Sequence, residues 1–579
     1  MRRALITVAV AVLGSGAAIT LTALPVRAAS VTTNCMNLQT TLNGSAAGDV
    51  ITLHDTTKCL GAFTLPAHAI TLEGQTQADG FEGLGAPGTD LTGANVGATS
   101  LTNLTFTGGL GTGAGGAVSI TGSSSPTISH SIFVHNHADR GGAVSIQVTT
   151  GNVSLADNLF GGTAVTDPNI AAHSPGAVAI QTNAGTVSVT GNTFTNNVAS
   201  IGSNAFGGGG AISVIATTAL TFTGNVLTGN QSLMGGAGGA ATLLGQTIDL
   251  VGNTFRANSI GAEGPGNSVT NFGGGVAVLG GGAATLTQSH NLFDSNTVHT
   301  ATSSGSAFDF GGGGEWAQVT NITSFSDTFI NNHVDAGAGG STAVGGGLAV
   351  EGLGPNPNET VQATDLGASS NSVGAQGEGG GIYAGFSAGC FAPPCTTHMT
   401  LADSTVDSNS VGSGGSGPGV AADPVTDVTK VVNSIVYGNT GTANQVVSGT
   451  LTVGYSDSCN ASGAAYPGSG NICTDPKLAN PAGNDLHETA ASPSVDTGSN
   501  ALIPAGLTVD FDGDARVQTL VVDMGADEFS IPVPNTGAAA SAATTAPLGW
   551  SLLALGFIIL TVGATSVRRR RTTSAKPKP

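Results

Sequence analysis

A short phrase ending in asparagine recurs along most of this chain, and it leaves few folds open. It reads HSIFVHN from His130, GNTFTNN from Gly191, GNVLTGN from Gly224, GNTFRAN from Gly252 and HNLFDSN from His290. It continues as DTFINN from Asp327, DSTVDSN from Asp403 and NSIVYGN from Asn433, with a weaker copy ending at Asn371 and a degenerate one, ADNLFGG, from Ala156. Successive copies stand 26 to 39 residues apart. After nearly every copy comes a glycine box that runs into a short alternating strand: GGAVSI from Gly141, GGGGAISV from Gly207, GGGVAVL from Gly273, GGGGEWAQV from Gly311, GGGLAV from Gly345 and GGGIYAG from Gly379. Each period therefore holds two or three short strands with turns between them and no helical pattern. One such coil cannot bury its apolar face alone, so the coils must stack around a continuous core.

The chemistry of the phrase fits stacked coils. Glycine boxes supply positive φ and tight turns at one corner. The final Asn suits a second corner, because Asn tolerates the left-handed conformation and its amide can pair with the Asn of the next coil. Phe at the fourth position is expected to stack inside, coil upon coil. A β-propeller is the competing architecture, but its four-stranded blades need regular spacing, and these intervals drift by a dozen residues. The pattern resembles a right-handed parallel β-helix of the pectin-lyase-like kind, an all-β solenoid covering about Val31 to Val453. NLQTTLNG from Asn37 reads as a short capping helix, and GDVITL from Gly48, AITLEG from Ala69 and SLTNLTFTGG from Ser100 as the first rungs. The expected organisation is an N-terminal cap and first rungs over 29–110 and β-helix repeats over 111–455.

Beyond Asn439 the phrase stops. Ser492-Pro493, Asp496-x-Gly498, Asp512-Gly513-x-x-Arg516 and Asp523-x-Gly525-Ala526-x-Glu528 follow in order. This segment is similar to the choice-of-anchor Q region of bacterial β-helix surface proteins. The resemblance implies a C-terminal cap over 456–530 that precedes an anchoring signal.

Both ends carry addresses. Arg2 and Arg3 precede an apolar run that closes at Val26-Arg27-Ala28, so residues 1–28 read as a secretory signal peptide. Val533-Pro534-Asn535-Thr536-Gly537 sits in a sorting motif and linker, 531–547, followed by an uncharged apolar run over 548–567 and a basic tail over 568–579. A helix needs about 20 apolar residues to cross the hydrocarbon core, and Arg568 to Arg571 hold the tail on the cytoplasmic side. The order of parts resembles the Leu-Pro-x-Thr-Gly sorting signal of Gram-positive surface proteins, with Val533 in place of Leu. That resemblance implies cleavage after Thr536 by a sortase and linkage to peptidoglycan. The expected location is extracellular and cell-wall-anchored at a Gram-positive-type surface, with the precursor membrane-inserted through a single C-terminal transmembrane helix.

Between signal and sorting site lie all 35 acidic residues and only six basic ones, Lys58, Arg140, Arg256, Lys430, Lys477 and Arg516, which leaves −29. Phosphate backbones need clustered Lys and Arg, so nucleic acid is excluded as a partner. Six cysteines in an exported chain argue for disulfides; fifteen pairings exist, and neighbours in sequence are the expected ones, Cys35 with Cys59, Cys390 with Cys395 and Cys459 with Cys473.

Candidate chemistry is sparse. Asp309, Glu315 and Asp327 lie about one coil apart and could share a face with Trp316, whose ring could stack on a sugar; paired carboxylates at the right separation hydrolyse glycosides. His135 and His137, near His130, would share a strand face. Asp510, Asp512 and Asp514 alternate as Ca²⁺ ligands do, although the EF-hand pattern is broken and a fold-stabilising turn is the preferred reading; no other cofactor is expected. Neither the lyase nor the hydrolase strings of the resembled fold are present. The expected role is therefore adhesion or ligand binding, with a glycan or cell-surface partner and no catalysis. An extracellular polysaccharide lyase or glycoside hydrolase is the alternative, and a structural stalk without a ligand is the second alternative.

Overall fold

The computed structural model describes residues 28–530 apart from 86, 163–166, 202–207, 234–235, 262–270, 281–283, 300–309, 336–341, 353–357, 386–395, 424–425 and 442–443. The signal segment up to residue 27, the sorting motif, the apolar run, Asp309, Cys390 and Cys395 lie outside the described residues.

One turn of the chain shows the whole plan. Thr247–Val251 lies on a first sheet, Thr254–Arg256 on a second, Ser259–Ile260 on a third and Val276–Leu279 on a fourth, after which Thr285–Ser289 returns to the first sheet one coil on. Every one of these strands pairs in parallel with its counterpart in the next coil: Thr247 with Thr285, Thr254 with Leu292, Ser259 with Thr297 and Val276 with Glu315. Among the described residues the four sheets hold 15, 14, 9 and 13 strands. The chain is thus an all-β solenoid, a parallel β-helix, whose core runs continuously along its axis.

The recurring phrase sets the register. Its Phe falls in one inward column on the second sheet, so that Phe81, Phe106, Phe133, Phe160 and Phe194 are stacked with ring centroids 4.8–5.0 Å apart. Leu227 interrupts the column, and Phe222 reaches in from the first sheet to restart the stack on Phe255. All of these rings are fully buried.

The final Asn of each phrase is buried as well, and it pairs with its counterpart as expected. Asn230 donates from Nδ2 to Asn258 Oδ1 (3.0 Å) and to the Phe194 carbonyl (3.0 Å), while its backbone N–H donates to the same Asn258 Oδ1 (2.9 Å). The pattern runs from Asn136 through Asn169, Asn197, Asn230, Asn258, Asn296, Asn332, Asn371 and Asn409 to Asn439, where Gln445 closes it. The left-handed conformation expected of these Asn falls one residue earlier, at His135, Asn196, Ala257, Ser295, Asn331 and Ser408. That residue makes the turn outside; the Asn behind it satisfies backbone groups that the turn would otherwise strand in the core.

A second ladder occupies the corner between the first and second sheets: Ser131, Asn158, Asn192, Asn225, Asn253 and Asn291, ending on Asp327. At the glycine-box corner the chain backbones themselves touch. A Cβ on Gly313 would lie 2.1 Å from the Gly346 carbonyl oxygen, and Gly312 holds φ +69°. Neither position accepts a side chain.

The ends are closed differently. At the start, the helix Leu38–Asn43 buries Leu38 and Leu42 over the first coil, and Cys35 is bonded to Cys59. At the far end, the loop closed by Cys459 and Cys473 lays Tyr466 on the core, its hydroxyl bonded to Val446. From there the chain departs from the expected cap. Residues 474–530 turn back along the outside of the second sheet, where Ala526 N–H donates to Thr405 Oγ1 (3.0 Å) and Gly525 N–H to the Asn433 carbonyl (2.8 Å). One outward column records the change: Val226 is 41% exposed, whereas Ile435 in the same column is 0% exposed, packed against Leu478, Leu486 and Met524.

Replacing one ladder Asn tests how much the corner contributes. Asn258→Ala removes two donors and the acceptor shared by the Asn230 amide and backbone, at a cost of about 3 kcal/mol given the penalty for buried orphaned groups. Chemical denaturation should show that loss, and surface Asn43→Ala should show none.

Candidate functional site

Strand alternation decides the fate of the residues proposed to share a sugar-binding face. Glu315 and Trp316 are neighbours on one strand, Glu315–Gln318, so their side chains leave opposite faces. Glu315 points into the core and is 0% exposed. Trp316 points outward but is only 1% exposed, because a four-stranded sheet of Gly236–Ala237, Asn271–Phe272, Phe310–Gly311 and Ala343–Val344 accompanies this flank. Its ring is stacked on Phe272, centroids 4.2 Å apart, in a cluster with Ala277, Val344, Ala349 and Tyr383. Asp327 ends the second Asn ladder inside the molecule. The expectation of a shared lateral face for Glu315, Trp316 and Asp327 is therefore corrected: two are core acids and the third is a covered aromatic.

The core acids form a small polar island. Gln288 Nε2 donates to Glu315 Oε2 (2.9 Å); Asp327 Oδ1 accepts from the Asn291 N–H and Nδ2, and its Oδ2 accepts from Ser324 Oγ (2.6 Å). Burial disfavours the charged forms and pushes Glu315 up to about 8 and Asp327 up to about 7, against the residual help of these hydrogen bonds. A carboxylate accepts from the coil before it but has no amide to pass on. The ladder accordingly stops here; the next coil has Leu366, and serine hydroxyls at 404, 434 and 456 take over.

The histidines separate too. His135 occupies the left-handed turn and His137 begins the next strand, so they do not share a face. Each has a carboxylate or a groove beside it instead: His135 lies 3.1 Å from Asp167, His130 lies 3.6 Å from Asp157, and His137 lines a shallow groove of about 510 Å³ with Leu110, Asp139, Ile170 and Ser200. His173, one coil on, is bonded to Asp139 at the rim. Sequence reasoning did not find this pair, since the partners are 34 residues apart.

The first sheet offers the longest open face. Its register aligns Ser100, Thr127, Ser154, Ser188 and Thr221 in one outward column, and Thr102, Ser129, Ala156, Thr190 and Thr223 in the next. Nine of these ten residues carry hydroxyls, and none is charged. Strands about 4.8 Å apart, with same-face residues about 6.7 Å apart along each strand, make this a regular lattice of donors and acceptors. Ser129 Oγ donates to Thr102 Oγ1 (3.0 Å), so part of the array is already ordered.

The C-terminal module explains its own motif. Arg516 is 1% exposed and donates to the carbonyls of Ala526 (3.0 Å), Gly525 (2.6 Å) and Asp523 (3.2 Å), with Nη2 3.4 Å from Asp403 of the solenoid. Glu528 accepts from the backbone of Gln518 and Asp523, and Asp523 from that of Asp496 and Phe529. The expected calcium triplet behaves likewise. Asp510 receives the N–H groups of Asp512 and Asp514 on one oxygen and that of Glu528 on the other. It is a turn-forming carboxylate, and among the described residues Asp510, Asp512 and Asp514 do not converge on one point. Asp512 instead meets His487 Nε2 at 2.5 Å, while Asp485 holds the other ring nitrogen. Partial burial opposes the charged ring, yet these two carboxylates outweigh it and push His487 up to about 9.

The chain matches no family model and no curated protein.

Two outcomes follow from this chemistry. Unfolded Asp and Glu ionise near pH 4, whereas Glu315 and Asp327 hold their protons in the folded chain until pH 7–8. Their contribution is therefore full below about pH 4 and is lost as pH rises through 7–8. Melting temperature should fall between pH 5 and pH 9, and Glu315→Gln should flatten that decline. Separately, Arg516→Ala leaves Asp403 buried without its cation, a loss of about 3–5 kcal/mol. Limited proteolysis should then cut within 474–530 while the solenoid stays resistant.

Proposed function

We propose that the chain is an exported surface protein, joined to the cell wall through Val533-Pro534-Asn535-Thr536-Gly537, that presents the outer faces of its solenoid to a neutral glycan and performs no catalysis on it. The observation that carries this reading is the uncharged hydroxyl lattice on five rungs of the first sheet, between Glu73 and Asp249, set in a chain whose exported part carries −29. A polyanionic ligand would be repelled by the rest of the surface, whereas a neutral polyol meets donors and acceptors at a fixed repeat. Hydroxyl contacts exchange against water at little net gain each, so affinity comes from many rungs engaging one chain of sugars. The sorting signal supplies the location: sortase joins Thr536 to peptidoglycan after the apolar run has held the precursor in the membrane.

Cell fractionation and a glycan array test the two halves. Peptidoglycan digestion should release the protein from wild-type cells, and Thr536→Ala should leave it in the membrane fraction. Binding to linear neutral glycans should weaken at least fivefold when Thr127, Thr190 and Thr221 are all changed to Val, which keeps shape and strand preference but removes the hydroxyls. New reducing ends or unsaturated products from a polysaccharide panel would replace this reading with a lyase or hydrolase.

A further inference from the structure

The C-terminal module carries a second arrangement that its structural network does not use. His487 stands on the strand Asp485–Glu488, Asp512 on the turn after Asp510 and Asp527 near the end of the module, 25 and 40 residues further along the chain than the histidine. The fold brings one ligand atom from each within 4.8 Å of the others. We propose that His487, Asp512 and Asp527 form a divalent-metal site that fastens the module together, with Asp485 orienting the imidazole.

Three observations support it. First, Asp527 is 8% exposed, and one of its oxygens accepts from the Glu488 N–H (2.7 Å), while among the described residues the other accepts no hydrogen bond. The lone pairs left on that carboxylate lie in the same cluster as the histidine nitrogen, where they can ligate an ion. Second, Asp485 accepts from Nδ1 of His487 and thereby turns Nε2 toward Asp512. A carboxylate behind the imidazole is the usual arrangement that fixes the tautomer and orientation of a metal-bound histidine. Third, the module has no spare cation for this place. Its basic residues are Lys477, paired with Asp475, and Arg516, committed to backbone carbonyls and Asp403. Three carboxylates around one ring leave net negative charge even when the ring is protonated.

One nitrogen and two carboxylate oxygens suit a borderline ion such as Zn²⁺, with a fourth position left for water. Ca²⁺, which takes oxygen ligands only, fits the set poorly. Binding exchanges the Nε2 proton for the ion. Because the ligands come from three separate stretches, the ion would tie together the segments that hold the module against the second sheet. Its role is structural, and it stands apart from the hydroxyl face proposed to bind glycan.

The test uses the purified whole protein stripped with EDTA and then titrated with Zn²⁺, Mn²⁺ or Ca²⁺ in a calorimeter, with proteolysis of 474–530 as a second readout. One equivalent of Zn²⁺ should bind at micromolar or tighter affinity and slow cleavage of the module, with Ca²⁺ at least tenfold weaker. His487→Gln should abolish binding. Asp527→Asn keeps the acceptor for the Glu488 N–H, so it should fold and yet bind at least tenfold more weakly, and Asp485→Asn should weaken binding 10- to 100-fold. His173→Gln, on the solenoid, should change nothing. Zn²⁺ affinity no better than millimolar, an undiminished stoichiometry in His487→Gln, or binding without any change in proteolysis would overturn the proposal. Glycan binding by the metal-free protein is read separately, so failure of one assignment leaves the other standing.

Discussion

The buried side-chain amide at the corner of each coil is the interaction on which the rest of the structure depends. A solenoid must turn its backbone sharply at each corner, and each turn leaves N–H and C=O groups facing the core. Asn resolves this because one planar group both donates and accepts: it takes the N–H and amide of the coil before, and gives its own amide to the next coil and to a Phe carbonyl. The pairing works only if consecutive coils are in register. Register in turn puts Phe on Phe and glycine backbone on glycine backbone, so aromatic stacking and close approach follow from the same constraint.

Where the pattern is broken, the break has a visible cause. Asp327 receives but cannot give, and the ladder ends there. Burial of that carboxyl beside Glu315 makes part of the core sensitive to proton activity, a consequence of placing acids where only neutral groups are at ease. At the last coils the outward column becomes apolar at Ile435, and the C-terminal module covers it. The acids of that module mostly accept from backbone N–H groups. Its one buried arginine gathers three carbonyls, which explains why Arg516 and the segment from Asp523 to Glu528 occur together as a motif.

Much of this is legible in the chain itself. The Phe of the phrase, its final Asn and the glycine boxes announce their roles, because each recurs once per coil and the coil is the physical unit. The same periodicity hides what departs from it. Asn169 belongs to the ladder but lies outside any copy of the phrase. Trp316 looks outward by strand alternation and is outward; its cover comes from two-residue strands too short to read as elements. His487 and Asp512 meet across 25 residues in a region with no repeat to predict the meeting.

Sequence alone thus determined the stacked-coil architecture and the inward Phe and Asn of the phrase, since identical coils bury the same residues, whereas the register of each coil on the next was set by the strand pairing of the folded chain. The proposal of export and wall anchoring likewise rests on linear strings, which need no fold to be read. Tertiary structure alone decided which outward faces stay open, which acids enter the core and which module residues converge. Those outcomes depend on contacts between segments far apart in the chain, and no local pattern encodes the packing of one such segment on another.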